Sequence, residues 1–370
     1  MKKYFIKTYG CQMNIYDSEK IAGLLEAFGL TAARKLTDAD LLVINSCSVR
    51  QAAEDKVVGF AQKLLRTTNN LPSTTNHKPL TILTGCWIGS ARGERKRIKL
   101  KEIKNRVPWV DYFWTAEELF PKLLDLLGKL KPKKFEPKRK AENHAFVPIS
   151  NGCDNFCSYC VVPYARGKEV CRSEQEIVSE IKNLTKKGFC HFTLLGQNVN
   201  SWRDNGFSFA DLLQKIHDIP EITKISFLSA NPSNFTFDLI NVLVLPKIDR
   251  YLHLPVQSGN DEMLKAMNRH YKAADYLKLV KAIRGKVPEI EIGTDAIVGF
   301  PGETKEQFLD TVQLFEEVKF AVAYIAIYSE RPGTLAAKLY PDNLPLSEKK
   351  QRHKILMAVF KKNRRQRIDG

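Results

Sequence analysis

The first 90 residues alternate between short apolar runs and longer amphipathic stretches. The apolar runs at 3–10, 41–45 and 80–85 have the length of strands, and each is followed by a segment with helical spacing of apolar residues. We expect the first of these helices to begin at Ser18, with Asp17 or Ser18 capping its first turn. Strand followed by helix, three times over, predicts an N-terminal α/β domain with an open parallel, Rossmann-like sheet.

A second alternation of the same kind occupies the later part of the chain. The predicted strands lie at 192–199, 224–228, 249–256, 290–299 and 320–328. The predicted helices lie around 173–187, 208–217, 235–243, 260–268, 273–285 and 304–318. Repeated strand–helix units whose strands end in polar residues predict a full or partial (β/α) barrel, active at the carboxyl ends of its strands.

A Lys- and Pro-rich stretch at 129–142 has little to bury and predicts a linker between the two regions. The predicted domains are therefore an N-terminal domain at 1–128 and a barrel domain at 143–346. A basic helical tail is predicted at 347–370.

The composition is typical of a soluble globular protein, with 370 residues, 44% hydrophobic and 27% charged. The amino terminus lacks the apolar segment of a secretory signal, so we expect a cytoplasmic protein with no membrane partner. Cytoplasmic cysteines rarely form disulfides, and the eight cysteines of this chain therefore favour metal binding or catalysis.

The net charge of +17 is concentrated in three basic stretches. Residues 92–106 carry eight basic and two acidic residues, 129–140 seven and one, and 349–367 nine and none. Three such stretches favour binding to a polyanion such as RNA. Each of them taken alone is equally compatible with an ordinary solvated face.

Cys153, Cys157 and Cys160 form a C-x3-C-x2-C pattern, which we call the loop triplet. An iron–sulfur cubane takes four cysteine thiolates, so three at this spacing predict a cluster with one iron open to another ligand. The alternatives are a zinc knuckle, which normally has four Cys or His ligands, and unbonded structural cysteines.

Cys11, Cys47 and Cys86, which we call the strand-end triplet, each follow one of the three predicted N-terminal strands. The carboxyl ends of parallel strands meet at one edge of a sheet, where open α/β sheets bind ligands. The three thiols are therefore expected to converge into a second three-thiolate site. The alternative is that each cysteine is an ordinary small buried residue.

The chain carries a series of motifs that resemble those of the MiaB-like tRNA methylthiotransferases of the radical S-adenosylmethionine (SAM) superfamily. They are GCQMNIYDSE at 10–19, INSCSVR at 44–50, PYARGKEV at 163–170, LLGQNVNS at 194–201, YLHLPVQSGND at 251–261, MNRHY at 267–271, TDAIVGFPGET at 294–304 and YSERPGT at 328–334. The family usually has a C-terminal RNA-binding module called TRAM, and this sequence stops at Gly370 before it.

The resemblance implies a transferase with two 4Fe–4S clusters and SAM as cofactors. The loop triplet would hold the catalytic, radical-generating cluster, and the strand-end triplet an auxiliary cluster that carries the sulfur. The reaction would convert N6-isopentenyladenosine beside the tRNA anticodon (position 37) to its 2-methylthio derivative, with an electron donor and a sulfur source as partners. Alternative substrates are threonylcarbamoyladenosine or a ribosomal protein, and the non-enzymatic alternative is an iron–sulfur or zinc protein that binds RNA.

The resemblance also assigns residues around the barrel rim. Positions matched to SAM contacts are Tyr159, Gly196, Gln197, Gln257, Ser258 and Asp295. Arg166 follows the loop triplet and faces either a cluster or substrate, or forms a loop salt bridge. Ser226 and Asn231 depart from the pattern, because the family usually has Arg and His there.

Overall fold

The computed structural model describes residues 1–49, 51–69, 78–128 and 135–368, with side chains described outside 61–69 and 365–368. The chain divides into two units. The first unit comprises 1–142 and 161–168, and the second comprises 143–160 and 169–370.

The first unit is built on a five-stranded sheet in the order β2-β1-β3-β4-β5, in which every pair is parallel. Its strands are β1 Lys3–Tyr9, β2 Thr31–Ala32, β3 Leu41–Ser46, β4 Leu80–Thr84 and β5 Tyr112–Phe113. Its helices are α1 Gln12–Ala27, α2 Gln51–Asn69, α3 Cys86–Arg92, α4 Leu100–Arg106, α5 Ala116–Leu127 and α6 Val162–Ala165. The predicted open parallel sheet is confirmed.

The central strand β3 is buried along its whole length and supplies both faces of the sheet. Leu41 and Val43 belong to one hydrophobic cluster, whereas Leu42 and Ile44 belong to another. This alternation follows from the two-residue period of a strand, because successive side chains point to opposite faces. The sheet is therefore covered by apolar side chains on both sides, as parallel sheets generally are.

The predicted start of the first helix is wrong. Helix α1 begins at Gln12, and Cys11 rather than Asp17 or Ser18 is its N-cap residue. The Asn14 side chain accepts a hydrogen bond from the Cys11 backbone N–H at 3.3 Å, and so satisfies a group at the helix start. Polar residues in the first turns of α1 form hydrogen bonds inside the first unit. The spacing of apolar residues alone therefore does not show where this helix begins.

Part of the predicted linker, 129–134, lies outside the described residues. The remainder belongs to the first unit and lies along α1, where the Lys138 N–H donates to Glu19 O at 2.9 Å. A Cβ on Gly23 would lie 1.8 Å from Glu136 O, so only glycine permits this approach.

The second unit contains two parallel three-stranded sheets, β12-β9-β6 and β13-β14-β15. The strands are β6 His144–Pro148, β7 Ser150–Asn151, β8 Val170–Cys171, β9 His191–Leu195, β10 Arg203–Asp204, β11 Phe207–Ser208, β12 Lys224–Phe227, β13 Tyr251–His253, β14 Glu291–Val298 and β15 Val322–Ile327. A parallel bridge between Ile225 and Ile248 leads from the first sheet toward the second. This is the predicted (β/α) arrangement in its partial form, and the five predicted strands are confirmed.

The helices of the second unit also lie where the sequence predicts them, except the short helix at Leu335–Leu339, which was not predicted. They are α7 Glu174–Thr185, α8 Phe209–His217, α9 Phe237–Val242, α10 Asp261–Ala266, α11 Ala273–Lys286, α12 Lys305–Val318, α13 Leu335–Leu339 and α14 Leu346–Ile368. Strand β6 was not predicted, because its short apolar run ends in Pro148. Within the described residues, no helix has the length and apolar character needed to cross a membrane.

Helix α14 forms the predicted helical tail, but its basic residues do not all face solvent. Leu356 and Phe360 join the main hydrophobic cluster of the second unit. The Arg352 guanidinium is buried and donates to Glu303 Oε2 at 2.7 Å. Lys349 is also buried, and its Nζ lies 2.5 Å from Asp342 Oδ1. These two cations form ion pairs that stabilise the fold, and they are therefore poor candidates for contacts with RNA.

Candidate functional site

The strand-end triplet lies at the carboxyl edge of the first sheet, as predicted. Cys11 follows β1 by two residues, Cys47 follows β3 directly, and Cys86 opens α3 immediately after β4 and Gly85. The strands are in register, because Tyr9 pairs with Ser46. The Cys47 N–H also donates to Tyr9 O at 2.6 Å, which fixes the chain as it leaves β3.

Two buried asparagines hold this edge together. Asn14 Nδ2 donates to Asn45 Oδ1 at 3.0 Å, and Asn45 Nδ2 donates to Asn14 O at 2.9 Å and to Ser18 Oγ at 3.0 Å. Gly85 has a φ of 91°, and a Cβ there would lie 2.3 Å from Asn45 Oδ1. Glycine is therefore required just before Cys86, both for its conformation and for the close approach of Asn45.

The thiols of the strand-end triplet influence one another. Cys47 donates a side-chain hydrogen bond to Cys86, which lowers the pKa of Cys86 to about 6 with help from the Arg166 charge and against the effect of burial. The same hydrogen bond, together with burial and the charges of Cys86 and Cys11, raises the pKa of Cys47. Within this hydrogen-bonded pair, Cys86 therefore has the greater thiolate character, and the thiolate is the form that binds metal.

Arg166 belongs to the first unit, although it follows the loop triplet in sequence. Its Nη2 lies 2.7 Å from Asp17 Oδ2, and it also makes a side-chain hydrogen bond with Cys86. Burial opposes the charge of its guanidinium, but the negative charges of Cys86 and Asp17 outweigh burial and raise the pKa of Arg166. Of the alternatives left open by the sequence, a salt bridge occurs, with Asp17, whereas a role facing a cluster or substrate stays a prediction.

The loop triplet lies on one short segment of the second unit, between β7 and residue 161. Cys153 is buried, and burial raises the pKa of its thiol to about 11. The Cys160 N–H donates to Cys157 O at 2.9 Å and closes a tight turn between these two cysteines. Arg269 Nη1 donates to Cys157 Sγ at 3.5 Å, a contact that sequence analysis missed.

The residues matched to SAM contacts differ in their surroundings. Gln197 Oε1 accepts from the Gly152 N–H, next to Cys153, at 2.5 Å. A Cβ on Gly196 would lie 2.6 Å from Ser150 Oγ, and that oxygen is buried with no hydrogen-bond partner among the described residues. These two positions therefore adjoin the segment of the loop triplet.

The other matched positions are engaged within the fold. Ser258 Oγ lies 3.3 Å from Thr311 Oγ1, and the Gln257 N–H donates to Asp295 O at 2.9 Å. Asp295 Oδ2 lies 3.5 Å from His253 Nε2. Ser258 is fully buried, so its side chain is available to SAM only after a change in its contacts. The SAM role of all these residues stays a prediction.

Two sequence families match the chain in separate regions. Residues 147–315 match the radical SAM superfamily, and residues 3–112 match the uncharacterized protein family UPF0004. A tRNA-2-methylthio-N(6)-dimethylallyladenosine synthase from Dictyoglomus thermophilum is 41% identical over 372 residues, covering 95% of this chain and 81% of the relative. One from Thermoanaerobacter pseudethanolicus is 39% identical over 378 residues, covering 97% and 78%. The chain belongs to the tRNA-2-methylthio-N(6)-dimethylallyladenosine synthase family.

Solved structures of radical SAM enzymes share the fold of this chain. The radical SAM methyltransferase TsrM from Kitasatospora setae, with cobalamin and a [4Fe-4S] cluster bound, gives a TM-score of 0.59 at 16% identity and covers 91% of this chain and 77% of its own. The cobalamin-dependent radical SAM enzyme OxsB gives 0.58 at 11% identity, covering 98% and 56%. At such identities the likeness concerns the fold alone. The superfamily match confirms the prediction of SAM and a 4Fe–4S cluster as cofactors, whereas the second cluster stays a prediction.

The donor chemistry of both triplets fits an iron–sulfur cluster in a synthase of this family. Thiolates are soft ligands suited to iron–sulfur centres, and each triplet leaves one iron without a cysteine. Among the described residues, no three Cys, His, Asp or Glu side chains stand in a metal-binding arrangement without the metal.

The two departures from the family pattern have local partners. Ser226 Oγ donates to Asp249 Oδ2 at 2.7 Å, and Lys224 Nζ lies 2.9 Å from the same carboxylate oxygen. The Asn231 N–H donates to Asn200 Oδ1 at 2.7 Å, and Asn200 Nδ2 donates to Asn231 O at 2.9 Å. The smaller residues are thus accommodated within hydrogen-bonded pairs at the strand ends.

Proposed function

We propose that this protein converts N6-isopentenyladenosine at position 37 of tRNA, beside the anticodon, to its 2-methylthio derivative. The observation that carries the proposal is the presence of two sets of three cysteines in separate units, one at the ends of three parallel strands and one on a single loop. The close relatives named for this reaction support it.

We propose that Cys153, Cys157 and Cys160 bind the cluster that reduces SAM, and that the strand-end triplet binds a second cluster. When bound, SAM and its cluster supply a radical able to abstract hydrogen from an unactivated C–H bond, which amino acid side chains cannot do. The remaining task of the protein is to bind, orient and shield the reactants.

The residues of the strand-end site suit an anionic sulfur donor. Arg166 places a permanent positive charge beside Cys86, and Asp17 fixes the direction of its guanidinium. A sulfur source arriving as hydrosulfide or persulfide carries negative charge, so the guanidinium favours its binding at this edge. The electron donor is a separate partner, for which the proposal assigns no surface.

We propose that exposed lysines of the first unit contribute to tRNA binding. Lys96, Lys99, Lys101 and Lys104 are exposed within the basic stretch at 92–106. By contrast, the Arg97 side chain is buried beside Glu54 and serves the fold. Phosphate contacts of this kind make affinity depend steeply on salt concentration, which a binding titration at several ionic strengths measures.

The test of the proposed function is anaerobic reconstitution with iron and sulfide, followed by incubation with SAM, a reductant and isopentenylated tRNA. Mass spectrometry of the digested nucleosides is expected to show the 2-methylthio product. The same tRNA without its isopentenyl group serves as the matched control. Formation of 5′-deoxyadenosine without any methylthio nucleoside would contradict the proposed substrate while leaving the radical chemistry intact.

A further inference from the structure

The turn that follows α10 lies against the loop that carries the loop triplet. Asn268 Nδ2 donates to the carbonyl oxygens of Asn155 and Phe156, at 3.0 Å each. The Ser158 N–H donates to Met267 O at 3.0 Å. Phe156 and Asn268 both have positive φ, 46° and 57°, which non-glycine residues adopt only where their surroundings enforce it. These hydrogen bonds therefore fix the loop in a conformation that it would not choose alone.

The next residue of this turn, Arg269, reaches a predicted cluster ligand. Its Nη1 donates to Cys157 Sγ at 3.5 Å and its Nη2 donates to Pro255 O at 3.2 Å. Its Nε donates to the Tyr271 hydroxyl at 3.2 Å. The Tyr271 hydroxyl in turn donates to Val256 O at 2.7 Å. The guanidinium thus donates to neutral oxygen atoms, and within the described residues its other hydrogen-bond acceptor is the Cys157 sulfur.

Arg269 differs from other well-enclosed arginines in its charge partner. Arg97 lies beside Glu54, Arg352 beside Glu303, and Arg166 beside Asp17, all at ion-pair distance. In the described part of the chain, no carboxylate lies within ion-pair distance of Arg269. Arg269 is half-buried, and a cation held largely away from water without a neighbouring anion is unfavourable, so this position favours the binding of an anion.

We propose that Arg269 is a positioning residue whose charge stabilises the reduced cluster on Cys153, Cys157 and Cys160, and that Asn268 fixes the loop that presents these ligands. The inference rests on the proposed function, because it takes this triplet as the site of the radical-generating cluster. A cluster held by three thiolates is anionic and becomes more so on reduction. A fixed cation and a hydrogen bond to one ligand sulfur therefore raise its reduction potential.

The test is a potentiometric titration followed by electron paramagnetic resonance, without tRNA. It uses the full chain with Cys11, Cys47 and Cys86 replaced by alanine, so that only one cluster contributes. In Arg269→Gln, the ratio of reduced to oxidised cluster at a fixed potential is expected to fall about tenfold, which corresponds to about 59 mV for a one-electron couple. Arg269→Lys keeps the charge and is expected to recover most of the shift.

Arg250→Gln is the matched control, since Arg250 also donates to backbone carbonyls, those of Leu243 at 2.7 Å and Leu245 at 3.2 Å. It contacts no cysteine among the described residues and is expected to leave the potential unchanged. An Arg269→Gln protein with full iron content and an unchanged potential would overturn the proposal. So would a loss of SAM affinity alone, which would assign the guanidinium to the SAM carboxylate.

Two further results keep the test decisive if Arg269→Gln binds no iron. Arg269→Lys is then expected to bind iron and to show a near-native reduction potential. If it does not, the proposal that the positive charge of Arg269 stabilises the reduced cluster is wrong. Asn268→Ala is expected to lower the iron bound per chain after reconstitution while leaving the potential of the loaded fraction unchanged. Absence of methylthio product in the tRNA assay would refute the proposed function without changing these readouts.

Discussion

The two cysteine triplets bring three thiols onto one part of the fold in different ways. The strand-end triplet takes its cysteines from sites 36 and 39 residues apart, and the parallel sheet brings them to one edge. The loop triplet takes them from eight consecutive residues, and a neighbouring turn fixes that loop. The first arrangement therefore depends on the whole fold of its unit, and the second depends on a few local contacts.

The arginines beside the two triplets differ in the same way. Arg166 is already ion-paired with Asp17 in the folded chain, at 2.7 Å. Arg269 donates to Cys157 Sγ at 3.5 Å and has no carboxylate at ion-pair distance in the described residues. We infer that the strand-end site can be stable before it receives a ligand, whereas the loop site gains stability from an anion. Three predictions test this contrast, beginning with the largest expected effect, and a fourth concerns an ion pair of the first unit away from the thiols.

Single cysteine substitutions should separate the two sites completely. Cys157→Ala is expected to reduce SAM cleavage to background, because the radical-generating cluster proposed for the loop triplet would lose one of its three ligands. Cys47→Ala is expected to retain cleavage and to abolish the 2-methylthio product. Assays of 5′-deoxyadenosine and of modified nucleosides in the same reaction measure both. Methylthio product from the Cys47→Ala protein would show that the strand-end triplet has been assigned wrongly.

Breaking the Arg166–Asp17 pair should destabilise the first unit. Arg166→Gln leaves the partly buried Asp17 carboxylate unpaired and is expected to cost about 2 to 3 kcal/mol of the free energy of unfolding. Urea denaturation of the metal-free protein provides the measurement. The double variant with Asp17→Asn should cost less than the sum of the two single variants. Strict additivity would mean that the pair contributes nothing to the stability of this edge.

Asn45 should matter for stability as well as for the placement of Cys86. Asn45→Ala removes a side chain that makes three buried hydrogen bonds, with Asn14 and Ser18. The unsatisfied groups left behind are expected to cost about 2 kcal/mol. Thermal unfolding compares this variant with Asn200→Ala, a buried asparagine in the second unit. If Asn45→Ala bound as much iron as the native chain, Asn45 would contribute to stability but would not be needed for cluster assembly at Cys86.

Glu118 should give a smaller, pH-dependent effect remote from the thiols. Burial opposes its charge, but Arg92, Lys122 and the Thr115 N–H lower its pKa from 4.5 to about 2. Its contribution to stability is therefore present above pH 4.5 and is lost as the pH falls toward 2. Glu118→Gln keeps the capping hydrogen bond and is expected to cost about 1 kcal/mol at pH 7.

Urea titrations at pH 7 and near pH 2.5 measure this change, and the difference between Glu118→Gln and the native chain should shrink at the lower pH. Asp125→Asn on the same helix α5 is the matched control. A difference that stays constant across this interval would show that the Glu118 charge does not contribute to acid sensitivity.

Much of the fold could be predicted because it follows from local pattern. The strands after residue 190 and the helices that follow them lie within a few residues of the predicted positions, since their apolar periods are clear. The edge of the first sheet was predictable for the same reason, because each cysteine directly follows an apolar run. The start of α1 was not, since Asn14 and Ser18 are polar residues that become buried by pairing with Asn45 on β3.

The roles of charged residues were harder to predict, because the sequence does not distinguish a basic residue that forms an ion pair within the fold from one that contacts a phosphate. Lys349 and Arg352 lie in the most basic stretch and are nevertheless buried with carboxylates. Arg269 is one residue of a recognised motif, and its contact with Cys157 spans 112 positions of the chain. Such contacts depend on tertiary structure, which no local pattern encodes.

The segment 161–168 belongs to the first unit although it interrupts the second. Helix α6 within it approaches α3 so closely that a Cβ on Gly89 would lie 2.0 Å from Ala165 O. A gene fragment ending at residue 142 would therefore encode an incomplete first unit, without α6 and without Arg166. The two units cannot be exchanged between proteins as separate cassettes at that boundary. A fragment ending at residue 168 would in turn carry away 143–160, which belong to the second unit, so no single breakpoint between these positions preserves both units.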